Sequence, residues 1–346
     1  MTSQDTDIPE NANKTLAERS AVKFVVAIED IPYFHWQLPI FIESLNDKLP
    51  HGWETFVVVC NDNQPFSESL TQVFQAYNIK NFTTTNYPQN ENIEFAGGGD
   101  YYVAVNRIQA LNAVADFVNP DDLICLLETD VFLYKDLNLH VIPTTNSLAQ
   151  NWIIQEELFF SLRRESEGVN LSKLLEAMGC SHSFKPGGVI LFLTGATVQN
   201  QKFIRDCFRF TQILFLMGKI LEVHKVWIAE MPSFALALTM NGIPYEVIDD
   251  PEFSTLNVAD PIIRPGTFYH YYHDLRDGGD GAFYKSQWYK QLFLSKNFLH
   301  EDISHWSSQA TSPHEKYFFE LANKARLRIH VSNYYRRKEK DFGKSS

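Results

Sequence analysis

The stretch Leu123-Ile124-Cys125-Leu126-Leu127-Glu128-Thr129-Asp130 runs five apolar residues into two carboxylates. A run this short, apolar on both faces, fits a strand inside a sheet that is covered on both sides. Two similar runs come earlier, Lys23–Ile28 (KFVVAI) and Thr55–Cys60 (TFVVVC), both rich in β-branched residues, and Ile79–Thr84 adds another strand signal. Helical signals lie between them, at Pro39–Leu49, Ser67–Tyr77 and Tyr102–Val118. The last carries Val105, Ile108, Leu111, Ala115 and Val118 as one apolar stripe. This alternation over the first 135 residues predicts an α/β fold with a parallel, helix-covered sheet.

The second half is less regular. Strands are expected at Trp152–Gln155, Val189–Leu193, Tyr245–Ile248 and Thr267–Tyr271. Helices are expected at Val198–Leu221, Lys225–Met240, Ala282–Leu294 and Pro313–Ala325. With no linker and no repeat, residues 21–325 read as one domain in two halves, 21–135 and 136–325, between a flexible tail (1–20) and a basic tail (326–346).

Composition narrows the function. The 346 residues carry 42 acids and 30 Lys/Arg, a net charge of −12, which argues against a dedicated nucleic-acid binder. An aromatic share of 14% argues against disorder. Charge is unevenly placed: residues 326–346 hold seven Lys/Arg and two acids, so this segment is +5 and the rest −17. The plain reading of that segment is a solvated tail; the sharper one is attraction to an anionic surface or partner. The N-terminus lacks the apolar core of a signal peptide, and the most apolar helical stretch, Phe203–Leu221, contains Arg205, Asp206, Arg209 and Lys219. A soluble protein without a transmembrane segment is expected. The four cysteines form no CxxC; Cys60 and Cys125 read as buried core thiols, and a reducing, cytoplasmic setting fits them.

In open α/β sheets, ligands bind beyond the carboxyl ends of the strands. Three polar features fall there: Asp30 after the first strand, Asn61-Asp62-Asn63 after the second, and Glu128-Thr129-Asp130 after Leu127. Glu128 and Asp130, at i and i+2, point the same way if strand geometry continues, and carboxylates suit Mg2+ or Mn2+ on a diphosphate. A polar turn is the competing reading. His270 and His273 follow an apolar-aromatic run, and an imidazole there can complete such a site. Glu230 sits in an otherwise apolar helix and needs a partner or a task if it is buried; the competing reading is a solvent-facing residue on an amphipathic helix. The run Gly97-Gly98-Gly99 matches no phosphate-loop pattern, and neither GxSxG nor HExxH is present.

Several segments, in order, resemble the plant hydroxyproline O-arabinosyltransferases and their peptidyl-serine galactosyltransferase relatives. They are Asp30-Ile31-Pro32-Tyr33 with Trp36-Gln37, Asn106-Arg107 with Ala110, Glu128-Thr129-Asp130, Trp227 with Glu230-Met231, and His270-Tyr271. Thr129 stands where that family's form of the DxD motif has Pro. The resemblance implies a GT-A glycosyltransferase, with a nucleotide-sugar half (21–135) and an acceptor half (136–325). It implies a UDP-sugar donor, Mn2+ or Mg2+, and a peptide or small-molecule hydroxyl acceptor. On this reading Asp130, Glu128 and His270 ligate the metal, with Glu128 alternatively at the ribose. Asp30 and Arg107 lie near the nucleotide, and Glu230 faces sugar or acceptor; Asp62 is counted with the nucleotide-binding residues from its place past the second strand. The family's linkages imply retention, with Glu230 positioning the sugar; in an inverting enzyme it would be the general base. The alternatives are a nucleotidyltransferase on a related sheet and a non-catalytic nucleotide-sugar-binding protein.

Overall fold

The apolar runs that dominate the first half lie side by side in one sheet. The computed structural model describes residues 22–49, 53–77, 79–85, 105–137, 146–149, 190–220, 229–248, 254–256, 267–270, 303–310 and 312–343. Strands β1 (Val22–Ile28), β2 (Trp53–Cys60), β3 (Lys80–Thr84) and β4 (Leu123–Leu127) are joined by β6 (Ser147–Ala149), β7 (Leu191–Thr194) and β8 (Glu246–Ile248) in the order β3-β2-β1-β4-β7-β6-β8. Pairs β1–β2, β2–β3, β1–β4 and β6–β8 are parallel; β4–β7 and β6–β7 are antiparallel. The expected α/β class is therefore what the chain forms: β1 through β4 are parallel as predicted, and the second half makes the whole sheet mixed, mostly parallel. A second sheet joins β5 (Val131–Leu133), β10 (Phe268–His270) and β9 (Ser254–Leu256).

The strand order fixes where a ligand can enter. From β1 the chain moves outward to β2 and β3, then returns to place β4 on the other flank of β1. The order therefore reverses between β1 and β4. Connections leave the two strand ends in opposite directions there and open a crevice. Val26 pairs with Leu127, so Glu29 and Glu128 both lie just past the pairing, at that crevice.

Helix α1 (Pro32–Lys48) begins seven residues before the expected start at Pro39. Pro32 fits the first turn, where its missing N–H would be unpaired anyway. Pro39 lies inside the helix at a typical cost of about 3 kcal/mol. Full burial of Trp36, Leu38, Ile40, Phe41 and Leu45 offsets it. Helices α2 (Glu68–Tyr77) and α3 (Asn106–Val114, continued by a 3-10 turn over Ala115–Phe117) match their predicted stretches.

The single helix expected over 198–221 is two, α4 (Gly195–Gln199) and α5 (Gln201–Ile220). Asn200 is the reason: its side-chain oxygen accepts from the backbone N–H groups of Lys202 and Phe203 and so starts a new helix. Helix α6 (Glu230–Met240) packs against α5 and is tied to it by the Thr211 hydroxyl donating to Ser233 Oγ at 2.6 Å. A short helix, α7 (Ser304–Gln309), precedes the last element.

That element, α8 (Pro313–Gly343), does not end at Ala325 as expected; residues 326–343, read as a tail, are its second half. Buried apolar residues run from Phe318 to Ile329, and polar bonds to α1 and α2 accompany them and continue beyond. Tyr317 and Lys324 donate to Asp47 at 2.9 and 3.0 Å. Arg328 Nε and the Tyr77 hydroxyl share Glu43 Oε1, at 2.6 and 2.8 Å. Arg336 donates to the Gln75 carbonyl at 3.0 Å.

Cys60, Cys125 and Cys207 are free and buried. Burial, aided by the charges of Glu29 and Asp62, pushes the Cys60 thiol up to about 12. Burial also raises Cys125 and Cys207 well above the usual thiol value. The expectations at residues 1–20, Gly97–Gly99, Trp152–Gln155, Cys180, Trp227, Tyr271–Asp274 and Ala282–Leu294 lie outside the described residues.

Glu43 is 3% exposed and holds two donors from different helices. Glu43→Ala is expected to cost about 2–3 kcal/mol, measured by urea unfolding; a loss near zero would show that α8 docks on its apolar face alone. In a Cys180→Ser background, an aromatic disulfide reagent is expected to modify no thiol in the native state and three after denaturation, the three being the buried ones.

Candidate metal centre at the end of β4

Beyond Leu127 the strand does not continue, as the i, i+2 argument assumed. The backbone turns, with Val131 N–H donating to the Glu128 carbonyl at 3.3 Å, and re-enters the second sheet as β5. The turn brings the two carboxylates together by a different route. Strand β10 pairs antiparallel with β5 and sets His270 opposite Val131, beside Asp130. His270 Nε2 lies 3.3 Å from Asp130 Oδ1 and 3.5 Å from Glu128 Oε2. One ligand atom from each of Glu128, Asp130 and His270 falls within 4.8 Å of the others.

Two helix N-termini complete the arrangement. Arg107, second residue of α3, places Nη1 3.5 Å from Glu128 Oε1. The same nitrogen donates to Glu230 Oε1, on the first residue of α6, at 3.3 Å. Its guanidinium also lies over the Phe234 ring, 5.7 Å from the centroid. Five residues singled out in the sequence thus form one continuous chain of contacts: Glu230, Arg107, Glu128, His270, Asp130. Glu230, which needed a partner or a task, has Arg107.

Charge within this chain is unbalanced. Three carboxylates against one guanidinium leave −2 when the imidazole is neutral, the charge a divalent cation would neutralise. Burial disfavours a charged His270, but the Asp130 and Glu128 carboxylates outweigh it and hold its pKa up, at about 9. In the absence of metal, the protonated ring supplies part of the missing positive charge. Two hard carboxylate oxygens with one imidazole suit Mn2+ or Mg2+ rather than a thiophilic metal. The residues present therefore fit such an ion.

Asp30 and Asp62 are placed differently. Both Asp30 oxygens are engaged: Oδ2 by Ser67 N–H at 2.6 Å, Oδ1 by Ser67 Oγ at 2.6 Å and by His35 Nε2 at 2.7 Å. Its carboxylate clamps the start of α2 to the β1–α1 turn. Burial lowers the His35 pKa, although Asp30 pulls the other way. Asp62 lies on the exposed turn past β2 with a left-handed backbone, φ 55°.

The sequence reading assigned no role to Gln37 and Glu29. Gln37, 1% exposed, accepts the Thr129 hydroxyl at 2.9 Å and donates to the Tyr33 carbonyl at 3.0 Å, fixing the middle of the Glu128–Asp130 turn. Asn106 donates to Glu29 at 3.3 Å and links the end of β1 to the start of α3. The polar Gln37 within the otherwise apolar stretch Trp36–Ile42 was the available signal.

Arg107→Met is expected to cost about 3–5 kcal/mol, because Glu230, 1% exposed, keeps a buried charge without its cation. Adding Glu230→Gln is expected to recover more than about 1 kcal/mol of that loss. Simple additivity in denaturant titrations would show that the pair is not coupled.

No protein-family model matches the chain, and no curated protein matches it. Several solved structures are similar in chain path. The galactosyltransferase LgtC, in complex with donor and acceptor sugar analogues, is 13% identical over 88% of this chain and 96% of its own, with a TM-score of 0.47. The bifunctional glycosyltransferase WbbM is 13% identical over 87% of this chain and 52% of its own, with a TM-score of 0.48. Core-mannan synthase A from Aspergillus fumigatus, in its Mn/GDP form, is 10% identical over 66% of this chain and 72% of its own, with a TM-score of 0.37. Similarities of this size do not assign the chain to a family.

Proposed function

We propose that the chain is a metal-dependent GT-A glycosyltransferase that moves a hexosyl or pentosyl group from a UDP-sugar to a hydroxyl acceptor, with retention of configuration. The observation that carries this reading is the convergence of Glu128, Asp130 and His270, with a net −2 around Arg107, at the carboxyl end of β4 beside the switch point. A carboxylate-lined crevice repels a diphosphate unless a cation stands between them. A divalent ion held by Asp130, His270 and Glu128 would supply that charge and stabilise the departing UDP as a Lewis acid.

The chain's own residues then divide the work. Arg107 engages Glu128 Oε1, while Glu128 Oε2 lies beside His270. Asp30, through Ser67 and His35, sets the loop whose backbone borders the nucleotide, and Asp62 lies on the exposed turn at the same sheet edge. Glu230 is 1% exposed and engaged by Arg107, a poor position for a base that must pass an acceptor proton to water. We assign it to holding Arg107, and through Arg107 the Glu128 carboxylate, so that its part in placing the sugar is indirect. Residues 21–325, with the continuous remainder of α8, serve as one catalytic unit, with the nucleotide on the 21–135 side and the acceptor on the 136–325 side.

The test is incubation with UDP-sugars and Mn2+ while UDP release is followed, with hydrolysis as the background reaction. Turnover is expected, with Asp130→Ala reducing it by about 10²–10³-fold. Undiminished turnover in that variant would remove the metal assignment. Pyrophosphate release from a nucleoside triphosphate would instead make the protein a nucleotidyltransferase. UDP binding with neither transfer nor slow donor hydrolysis would make it a binding protein.

A further inference from the structure

Helix α8 has a second face that the rest of the fold does not use. Its inner face is taken up by α1 and α2 through Glu43, Asp47 and Gln75. The outer face carries Leu327, Val331 and Tyr334, followed by Lys338, at spacings of four, three and four residues. These lie along one line of an α-helix. Leu327 is 66% exposed, Val331 43%, Tyr334 56% and the adjacent Tyr335 63%. Among the described residues only three other large hydrophobics are exposed, Ile31, Phe117 and Met240, and they are scattered singly over the chain. Lys338 lies over the Tyr334 ring at 5.9 Å, and Arg337 is exposed beside it.

From this juxtaposition we infer that the outer face of α8 is a docking surface for an anionic lipid bilayer. The charge distribution favours that occupant. Seven Lys/Arg against two acids over residues 326–346 make the segment +5, while the remainder is −17. The 326–346 segment is therefore a strongly positive stretch in an acidic chain, and a negative surface attracts it. Apolar and aromatic side chains in the middle of the face, with cations on its flank, match a helix lying in the headgroup layer. A nucleic acid would use the cations but gain little from Leu327 and Val331. A second copy of the same helix would bring like charges together. Among the described residues no helix is long and apolar enough to cross a membrane, so the contact is peripheral. Docking of the inner face holds the outer face in place before contact, which reduces the ordering cost of binding.

The test is co-sedimentation of the full chain with vesicles of phosphatidylcholine alone and of phosphatidylcholine mixed with phosphatidylglycerol. Binding is expected to the mixed vesicles only, and to weaken as salt is raised. Arg337→Gln/Lys338→Gln is expected to lower apparent affinity about thirtyfold, from roughly fivefold per cation. Leu327→Ser/Tyr334→Ser is expected to lower it by at least about tenfold. Unchanged melting temperature in both variants establishes that the fold is intact. Equal binding to neutral vesicles, no binding to either kind, or binding insensitive to both variants would overturn the proposal. So would a concentration-dependent dimer, or nucleic-acid binding without vesicle binding, that the Leu327→Ser/Tyr334→Ser variant abolishes.

Discussion

Three carboxylates converge where β4 ends, and one guanidinium stands among them. The placement of Arg107 between Glu128 and Glu230 is the constraint on which the rest of the centre depends. Without it, two acids with 27% and 1% side-chain exposure would face each other across a poorly solvated gap. With it, the repulsion is moved to the Glu128–Asp130 side, where His270 stands and a cation can bind. The buried pair gives Glu230 a structural task, and the remaining deficit of positive charge gives the crevice a chemical one. Reversal of strand order between β1 and β4 puts that deficit at the mouth of the sheet rather than in its core.

Much of this was legible in the sequence, for identifiable reasons. Buried parallel strands are unbroken apolar runs, so β1, β2 and β4 fall where KFVVAI, TFVVVC and LICLL place them. The carboxylates after Leu127 and the lone acid at Glu230 stood out because such groups are costly to bury without partners. What periodicity could not reach were features set by single polar atoms. Asn200 splits one apolar helical pattern in two by capping, while the buried ring of Pro39 sits in a helix that a local rule starts there. The second half of α8 was obscured because it is held by Arg328, Asn333 and Arg336 to α1 and α2, more than two hundred residues away in sequence. The Arg107–Glu230 contact has the same character: it spans 123 residues, and no local pattern announces it.

The segregation of charge joins the two ends of the account. The acidic body takes on meaning at the end of β4, where carboxylates collect around one buried cation. The basic residues collect instead on α8, beside exposed aromatic side chains. One helix thus serves the fold with one face, through Glu43 and Asp47, and offers the other to solvent. The two charge clusters thus lie on different elements, the carboxylates at the end of β4 and the cations on the C-terminal half of α8.

The central claim is that Glu128, Asp130 and His270 hold a divalent cation. Its most direct measurement is the electron paramagnetic resonance signal of free Mn2+ titrated with the full chain, with and without UDP. The account predicts saturable loss of the free-ion signal, tightened by UDP and abolished in both Asp130→Asn and His270→Ala. Titrations of those two variants that overlay the unsubstituted protein would contradict it.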